Sequence, residues 1–142
     1  MVSTHEKLNI WIAANVTMVK HYIENEGFSP NAKDDNGYFP LAAAVAYDHL
    51  DVIEYLLQRN ADINLTDNEG GNCLFYCENI EIAQMLISRG ANHLLKDHAG
   101  LSVLDFAIEN DYEDDIINLW RGLFGIPLLN DVNDGDNQAF DE

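Results

Sequence analysis

Positive charge is scarce in this chain. Seven lysines and arginines face 25 aspartates and glutamates, a formal net charge of −18 at pH 7. That balance disfavours nucleic acid as a partner, because phosphate contacts need a basic footprint. Cysteine is scarce as well. Cys73 and Cys77 are too few for a disulfide framework, and their i, i+4 spacing is hard to bridge within an ordinary helix turn. Reduced thiols in an intracellular compartment are therefore expected. Long apolar runs are missing: none approaches the roughly eighteen residues a membrane helix needs. The opening MVSTHEKLNIW lacks a basic flank followed by a continuous apolar stretch, so no secretion signal is expected. The expected compartment is the cytoplasm, with nuclear entry open to so small a chain.

What is present suffices for a folded domain. The chain has 142 residues, 47% of them hydrophobic, enough to bury a useful core. Its acidity is uneven. Residues 105–142 hold eleven acids and one base, Arg121, whereas the preceding 104 residues hold fourteen acids and six bases. The last stretch, NDVNDGDNQAFDE (130–142), has five acids and no base, a composition that predicts a disordered acidic tail. Phe140 is its one large apolar residue.

A turn is written three times: NAKDDNGYF (31–39), NLTDNEGGN (64–72) and LLKDHAGLS (94–102). Asp34, Asp67 and Asp97 each lie three residues before Gly37, Gly70 and Gly100, and Leu41, Leu74 and Leu104 each lie four after. The intervals are 33 and 30 residues, the length of a stacked supersecondary unit. Two helical patterns separate the turns. PLAAAVAY (40–47) is small and apolar. LDVIEYLLQR (50–59) places Val52, Ile53, Leu56 and Leu57 on one face, and IEIAQMLISR (80–89) repeats this with Ile82, Ala83, Leu86 and Ile87. Ile116, Leu119 and Trp120 take the corresponding places in EDDIINLWR (113–121).

The segment DDNGYFPLAAAVAYDHLDVIEYLLQRNADIN (34–64) resembles the ankyrin repeat, whose pattern is Asp-x-x-Gly-x-Thr-Pro-Leu-His-x-Ala-Ala, a second helix ending in Leu-Leu, then Gly-Ala-Asp-x-Asn. The resemblance covers roughly residues 10 to 122. It implies an all-α solenoid of about four stacked helix-turn-helix units, at about 8–33, 34–66, 67–96 and 97–122, with a C-terminal cap at 123–129 closing a domain of residues 1–129. The physics of the repeated letters agrees. Glycine supplies the backbone of a tight turn, Pro40 suits a first helical position, and Asn72 and Ser102 are good helix N-caps, Ser102 with Asp105 as a capping box. Alanines 42–44 allow close stacking, and neighbouring units share one core.

Departures from the pattern carry their own expectations. Phe39 replaces the usual Thr, and Ala42, Phe75 and Asp105 replace the usual His, so the polar network of those residues should be absent. Asn60 replaces the cap glycine. Asp48, Glu78 and Asp111 stand where the family has a glycine between its helices. The third unit is three residues short, with the loss falling between Cys77 and Glu78, so its first helix should lose almost a turn. Leu123, Phe124, Ile126, Leu128 and Leu129 are expected to cover the last unit.

No catalytic constellation emerges. Histidines 5, 21, 49, 93 and 98 do not cluster with the cysteines at metal-ligand spacing, and His93 with His98 makes at best a weak pair. EGGN lacks the strand and the Lys of a phosphate loop. No catalytic, cofactor or metal site is expected. The resemblance instead implies a concave groove for another protein. Carried over by position, its turn contacts are Lys33, Asp35, Asn36 and Tyr38, then Thr66, Asn68, Glu69 and Gly71, then Lys96, His98, Ala99 and Leu101. Its helix contacts are Ala46, Tyr47, Glu109 and Asn110, with Tyr38 and Tyr47 as anchors. The expected function is a monomeric, non-enzymatic protein-binding module, with no nucleic acid and no membrane as partner. Its charge suggests an escort for a basic client protein. The alternative is an adaptor or regulatory subunit docking on an enzyme or larger complex, its acidity serving only solubility.

Overall fold

The computed structural model describes residues 15–129. The first residues of the opening unit and the acidic tail at 130–142 lie outside the described residues. Among the described residues there are six α-helices and one short 3-10 helix, and no strands. The helices are α1 (Val16–Glu24), α2 (Pro40–Ala46), α3 (Leu50–Gln58), α4 (Ile80–Ser88), α5 (Val103–Glu109) and α6 (Asp114–Leu123). The 3-10 helix, Cys73–Tyr76, lies between α3 and α4. It packs between α2 and α5, so the first helices of successive units form one row; α1 with α3, and α4 with α6, make contacts in the other.

Local chemistry sets where each helix starts. Pro40 opens α2 at its first position, where a missing N–H costs nothing. Asn15 accepts from the Met18 amide, Asn79 from Ile82, and Ser102 from Asp105 within a complete capping box. Asn60, at φ 67°, closes α3 in the left-handed conformation, which Asn tolerates better than most side chains.

The core is a continuous layer. Ala42 and Val45 of α2, Ile53 and Leu56 of α3, Leu86 of α4, Ala107 of α5 and Ile116 and Trp120 of α6 are all essentially inaccessible. Burial of each of the larger side chains contributes about 1.5–3 kcal/mol. Leu57, Ile87 and Leu119, placed on the buried faces by their spacing, are only partly covered. Tyr55 is buried instead, its hydroxyl donating to the Glu24 carboxylate at 2.5 Å across two units. The Glu54 carboxylate pairs with Arg89 at 2.8 Å, tying α3 to α4.

The third unit is short as expected. Seven residues of α2 or α5 rise about 10 Å. Four residues would rise about 6 Å as α-helix but about 8 Å as 3-10 helix, so tighter winding recovers part of the lost height. Extended backbone continues it, with Cys77 at φ −91°, ψ 122° and Asn79 at φ −112°, ψ 119°. Asp48 and Asp111 adopt the left-handed conformation at φ 57° and 55°, whereas Glu78 does not. Glu78, which stands where the family has a glycine, thus keeps out of the left-handed region, because the extended crossing replaces the reversal.

At the far end, Phe124 and Leu129 pack against the core while Leu123, Ile126 and Leu128 are exposed. Their cover over α6 is partial. No helix among the described residues is long and apolar enough to cross a membrane.

Candidate partner-binding surface

The turns are built by their aspartates. Asp34 Oδ1 accepts from the amides of Asn36 and Tyr38, both at 2.9 Å. Asp67 Oδ1 does the same for Glu69 and Gly71, and Asp97 Oδ1 for Ala99 and Leu101. Each Asp amide donates to the residue four ahead, and each turn glycine amide donates back to the Asp carbonyl. One carboxylate oxygen therefore organises a whole tip, a local side-chain to backbone device that Asp performs well. Gly37, Gly70 and Gly100 take φ of 79°, 86° and 83°.

Neighbouring tips are also tied to each other. Asn68 Nδ2 donates to the Asp35 carbonyl at 3.1 Å, and the His98 amide donates to the Glu69 carbonyl at 2.8 Å. A second ladder runs behind them. The Asp62 amide donates to Asn31 Oδ1, the Asn92 amide to Asn64 Oδ1, and Asn64 Nδ2 to the Gly90 carbonyl. Asn72, buried at the mouth of the 3-10 helix, is satisfied at both ends: its Oδ1 accepts from Leu74 and its Nδ2 donates to the Asn92 carbonyl.

Of the expected contacts, Lys33, Asp35, Asn36, Asn68, Glu69, Lys96, His98 and Ala99 are exposed at the tips, Thr66 and Leu101 are half-buried, and Gly71 is buried. Ala46, Tyr47, Glu109 and Asn110 are exposed at the ends of α2 and α5. The two tyrosines chosen as anchors differ. Tyr47 is 56% exposed. Tyr38 is half-buried with its ring 5.4 Å from that of Tyr76, and desolvation, helped by Tyr47 and Asp34, pushes its hydroxyl up to about 12.

Position-by-position expectation passed over a set of aromatic residues around the short unit. The Tyr76 hydroxyl donates to the Asp67 carboxylate. The Tyr112 hydroxyl donates to the Phe75 carbonyl at 2.8 Å. Phe106 stands between, its ring 5.4 Å from Phe75 and 6.2 Å from Tyr112. Desolvation first, then Glu78, pushes Tyr112 up to about 12. Burial likewise pushes the Cys73 and Cys77 thiols up to about 12, which keeps them protonated and poor nucleophiles at neutral pH. His93 packs its ring against Phe124, 6.1 Å between centroids. Among the described residues no three His, Cys, Asp or Glu side chains group as metal ligands would.

Charge is segregated along the units. Residues 34–58, 60–88 and 97–120 contain seventeen acids and no Lys or Arg. Five of the seven bases, Lys33, Arg59, Arg89, Lys96 and Arg121, fall at tips and helix ends, while Lys20 lies within α1. Among the described residues the one ion pair made by a Lys or Arg is Arg89 with Glu54.

Stacked helix pairs, aspartate-built tips and an open outer contour define a helical repeat protein of the ankyrin class. The family of ankyrin repeats, in three copies, matches residues 10–97, and the chain belongs to it. It is 45% identical over 98 residues to the ankyrin repeat-containing protein P1E11.10 of Schizosaccharomyces pombe, covering 66% of this chain and 46% of that protein. It is 30% identical over 83 residues to alpha-latroinsectotoxin-Lt1a of Latrodectus tredecimguttatus, covering 56% of this chain and 6% of the toxin. It is 41% identical over 61 residues to the ADP-ribosylation factor GTPase-activating protein AGD4 of Arabidopsis thaliana, covering 41% of this chain and 8% of that protein. The chain thus spans less than half the length of each of these relatives. Ankyrin repeats are protein-protein interaction modules, and binding another protein is the activity this family membership supports.

Proposed function

We propose that this protein is a non-enzymatic binding module that escorts a basic client protein, acting as a monomer in the cytoplasm and open to the nucleus. The observation that carries this reading is the charge map: seventeen acids and no Lys or Arg across residues 34–58, 60–88 and 97–120, with the bases of residues 33–121 confined to Lys33, Arg59, Arg89, Lys96 and Arg121. A cationic client would be drawn to those faces and its own charge screened there. Residues 1–129 would form the repeat domain. The five acids of residues 130–142 would extend the negative field. Lys33, Asp35, Asn36, Tyr38, Tyr47, Thr66, Asn68, Glu69, Lys96, His98, Leu101, Glu109 and Asn110 are the proposed contact set. Asn68 has a double role there, because its amide group also holds the Asp35 carbonyl.

Affinity capture at low and high salt tests this function. Enrichment of basic proteins that are released steeply as salt rises is the expected result. Recovery of neutral or acidic partners, indifferent to salt, would overturn it. The adaptor reading draws on a different observation: Leu94, Leu123, Ile126 and Leu128 are exposed toward the end of the stack, an apolar surface suited to a larger complex. Deleting residues 130–142 separates the two. Affinity falls for an escort and survives for an adaptor.

A further inference from the structure

The ladder behind the tips stops at the end of the stack. Asn60, Gly90 and Gly125 each close a second helix at positive φ. The Ile126 amide donates to the Arg121 carbonyl at 2.8 Å, as Ala61 does to Leu56 and Ala91 to Leu86, both at 2.9 Å. In that register the residue two places on donates its amide to an Asn side chain of the preceding unit: Asp62 to Asn31, and Asn92 to Asn64. The next rung would run from residue 127 to residue 94. Both of its halves are lost together, because Pro127 has no N–H and Leu94 has no acceptor.

An apolar cleft of about 340 Å³ lies at the lost rung, walled by Leu94, Leu104, Phe124 and Ile126. Leu94 is 68% exposed. Ser102 and Asp105 also line the cleft, but they satisfy each other in the capping box. Lys96 is the one cation of the lining, and it makes no ion pair among the described residues. The site therefore offers apolar walls and one unspent positive charge.

We propose that this cleft is the docking site of the chain's own Phe140, with Asp141 and Glu142 set against Lys96. An aromatic ring brings the apolar area the walls lack and can stack on Phe124. The acids that follow it complement the cation, whereas a basic segment would meet Lys96 with like charge. Reach is ample. Leu129 is fixed by its amide, which donates to Asn118 Oδ1 at 2.8 Å, and Ile126 of the cleft wall lies only three residues before it. The eleven residues from there to Phe140 span up to about 36 Å when extended. Tethering favours this occupant over a second copy, since a short linker holds it at millimolar effective concentration. The docking does not depend on the basic-client reading. It does mean that an apolar partner reaching Leu94 and Ile126 must displace Phe140.

The test is nuclear magnetic resonance of the isotope-labelled full chain. Contacts are expected between the Phe140 ring and the methyls of Leu94, Leu104 and Ile126, and Phe140→Ser should abolish them and shift those methyl resonances. Added to the Phe140→Ser chain at millimolar concentration, the peptide Asn-Gln-Ala-Phe-Asp-Glu should return them toward their parent positions. The same peptide with its two acids replaced by amides should bind about threefold more weakly, the scale of an exposed charge pair. Methyl resonances identical in parent and Phe140→Ser, or unmoved by the peptide, would overturn the docking. Contacts that arise only between labelled and unlabelled molecules in a mixed sample would assign the cleft to a second copy and overturn it as well.

Discussion

Tyr112, from the fourth unit, donates its hydroxyl to the carbonyl of Phe75 in the third at 2.8 Å. The Phe75 carbonyl lies in the 3-10 helix, one residue before it ends, where the missing turn would otherwise have supplied an intrahelical donor. Tyr112 stands where His49 and Asn79 stand in the other units. The fourth unit thus repairs the third.

Tyr112→Phe should therefore destabilise the protein by about 1–2 kcal/mol, the cost of a half-buried acceptor losing its donor. In a thermal melt that is a fall of about 3–7 °C for a domain of this size. Tyr47→Phe, which removes a hydroxyl from an exposed ring, should change the midpoint little. Equal effects of the two substitutions would mean that the Tyr112 bond contributes nothing to stacking.

Alanine at two turn glycines should have unequal consequences. Gly37 and Gly100 share a positive φ, so both substitutions cost about 1 kcal/mol of backbone strain. A Cβ at Gly100 meets nothing within 4 Å, whereas one at Gly37 falls 2.5 Å from the Asn68 amide nitrogen and 2.5 Å from its side-chain oxygen. Gly37→Ala must push the second tip away and break the bond from Asn68 to the Asp35 carbonyl, for a total of about 3 kcal/mol. Urea midpoints rank the two variants, and a Gly100→Ala as damaging as Gly37→Ala contradicts the contact.

Much of this fold was legible because it repeats. Gly37, Gly70 and Gly100 fixed the register, Pro40, Asn72 and Ser102 announced helix starts, and the deletion before Glu78 marked the short helix. Other features needed the third dimension. The Asp of each tip shows in the spacing, but its two accepted amides do not. Tyr55 sits next to the expected buried face, and only the approach of α1 buries it. Tyr112 answers a defect in another unit, 37 residues away, so no property of its own segment signals the role. The candidate contact set was read by position. Position alone did not separate Tyr47, open to solvent, from Tyr38, which leans on Tyr76.

The tip aspartates should also be ranked by what they hold. Asp97 accepts from two amides, while Asp67 accepts from two amides and from the Tyr76 hydroxyl. Asp97→Ala should cost about 2 kcal/mol and Asp67→Ala about 3 kcal/mol, at roughly 1 kcal/mol per bond net of solvent exchange. Asn retains an oxygen for both amides, so Asp97→Asn should recover most of the loss. Chemical denaturation of the three variants checks the order; failure of Asn to rescue would show that charge, rather than acceptor geometry, holds the tip.

The buried thiols predict an alkaline limit to stability. In the folded chain Cys73 and Cys77 titrate at about 12, against an ordinary value of 9.0, because burial disfavours the thiolate. A folded value above the unfolded one means that the native state holds its protons longer. This contribution is complete below about pH 9 and is lost as pH rises toward 12. Each thiol removes up to about 1.4 kcal/mol per pH unit in that window. Tyr38 and Tyr112 join from about pH 10 upward, for the same desolvation reason. Cys77 occupies the register position of Ala44 and Ala107, so Cys77→Ala should fit the site and stay within about 1 kcal/mol of the parent at pH 7. Between pH 8 and 10 its stability should fall less steeply than the parent's, by one thiol's share. Urea midpoints at pH 7, 8, 9 and 10 read this directly, and parallel curves for parent and variant would show that Cys77 ionises as readily folded as unfolded.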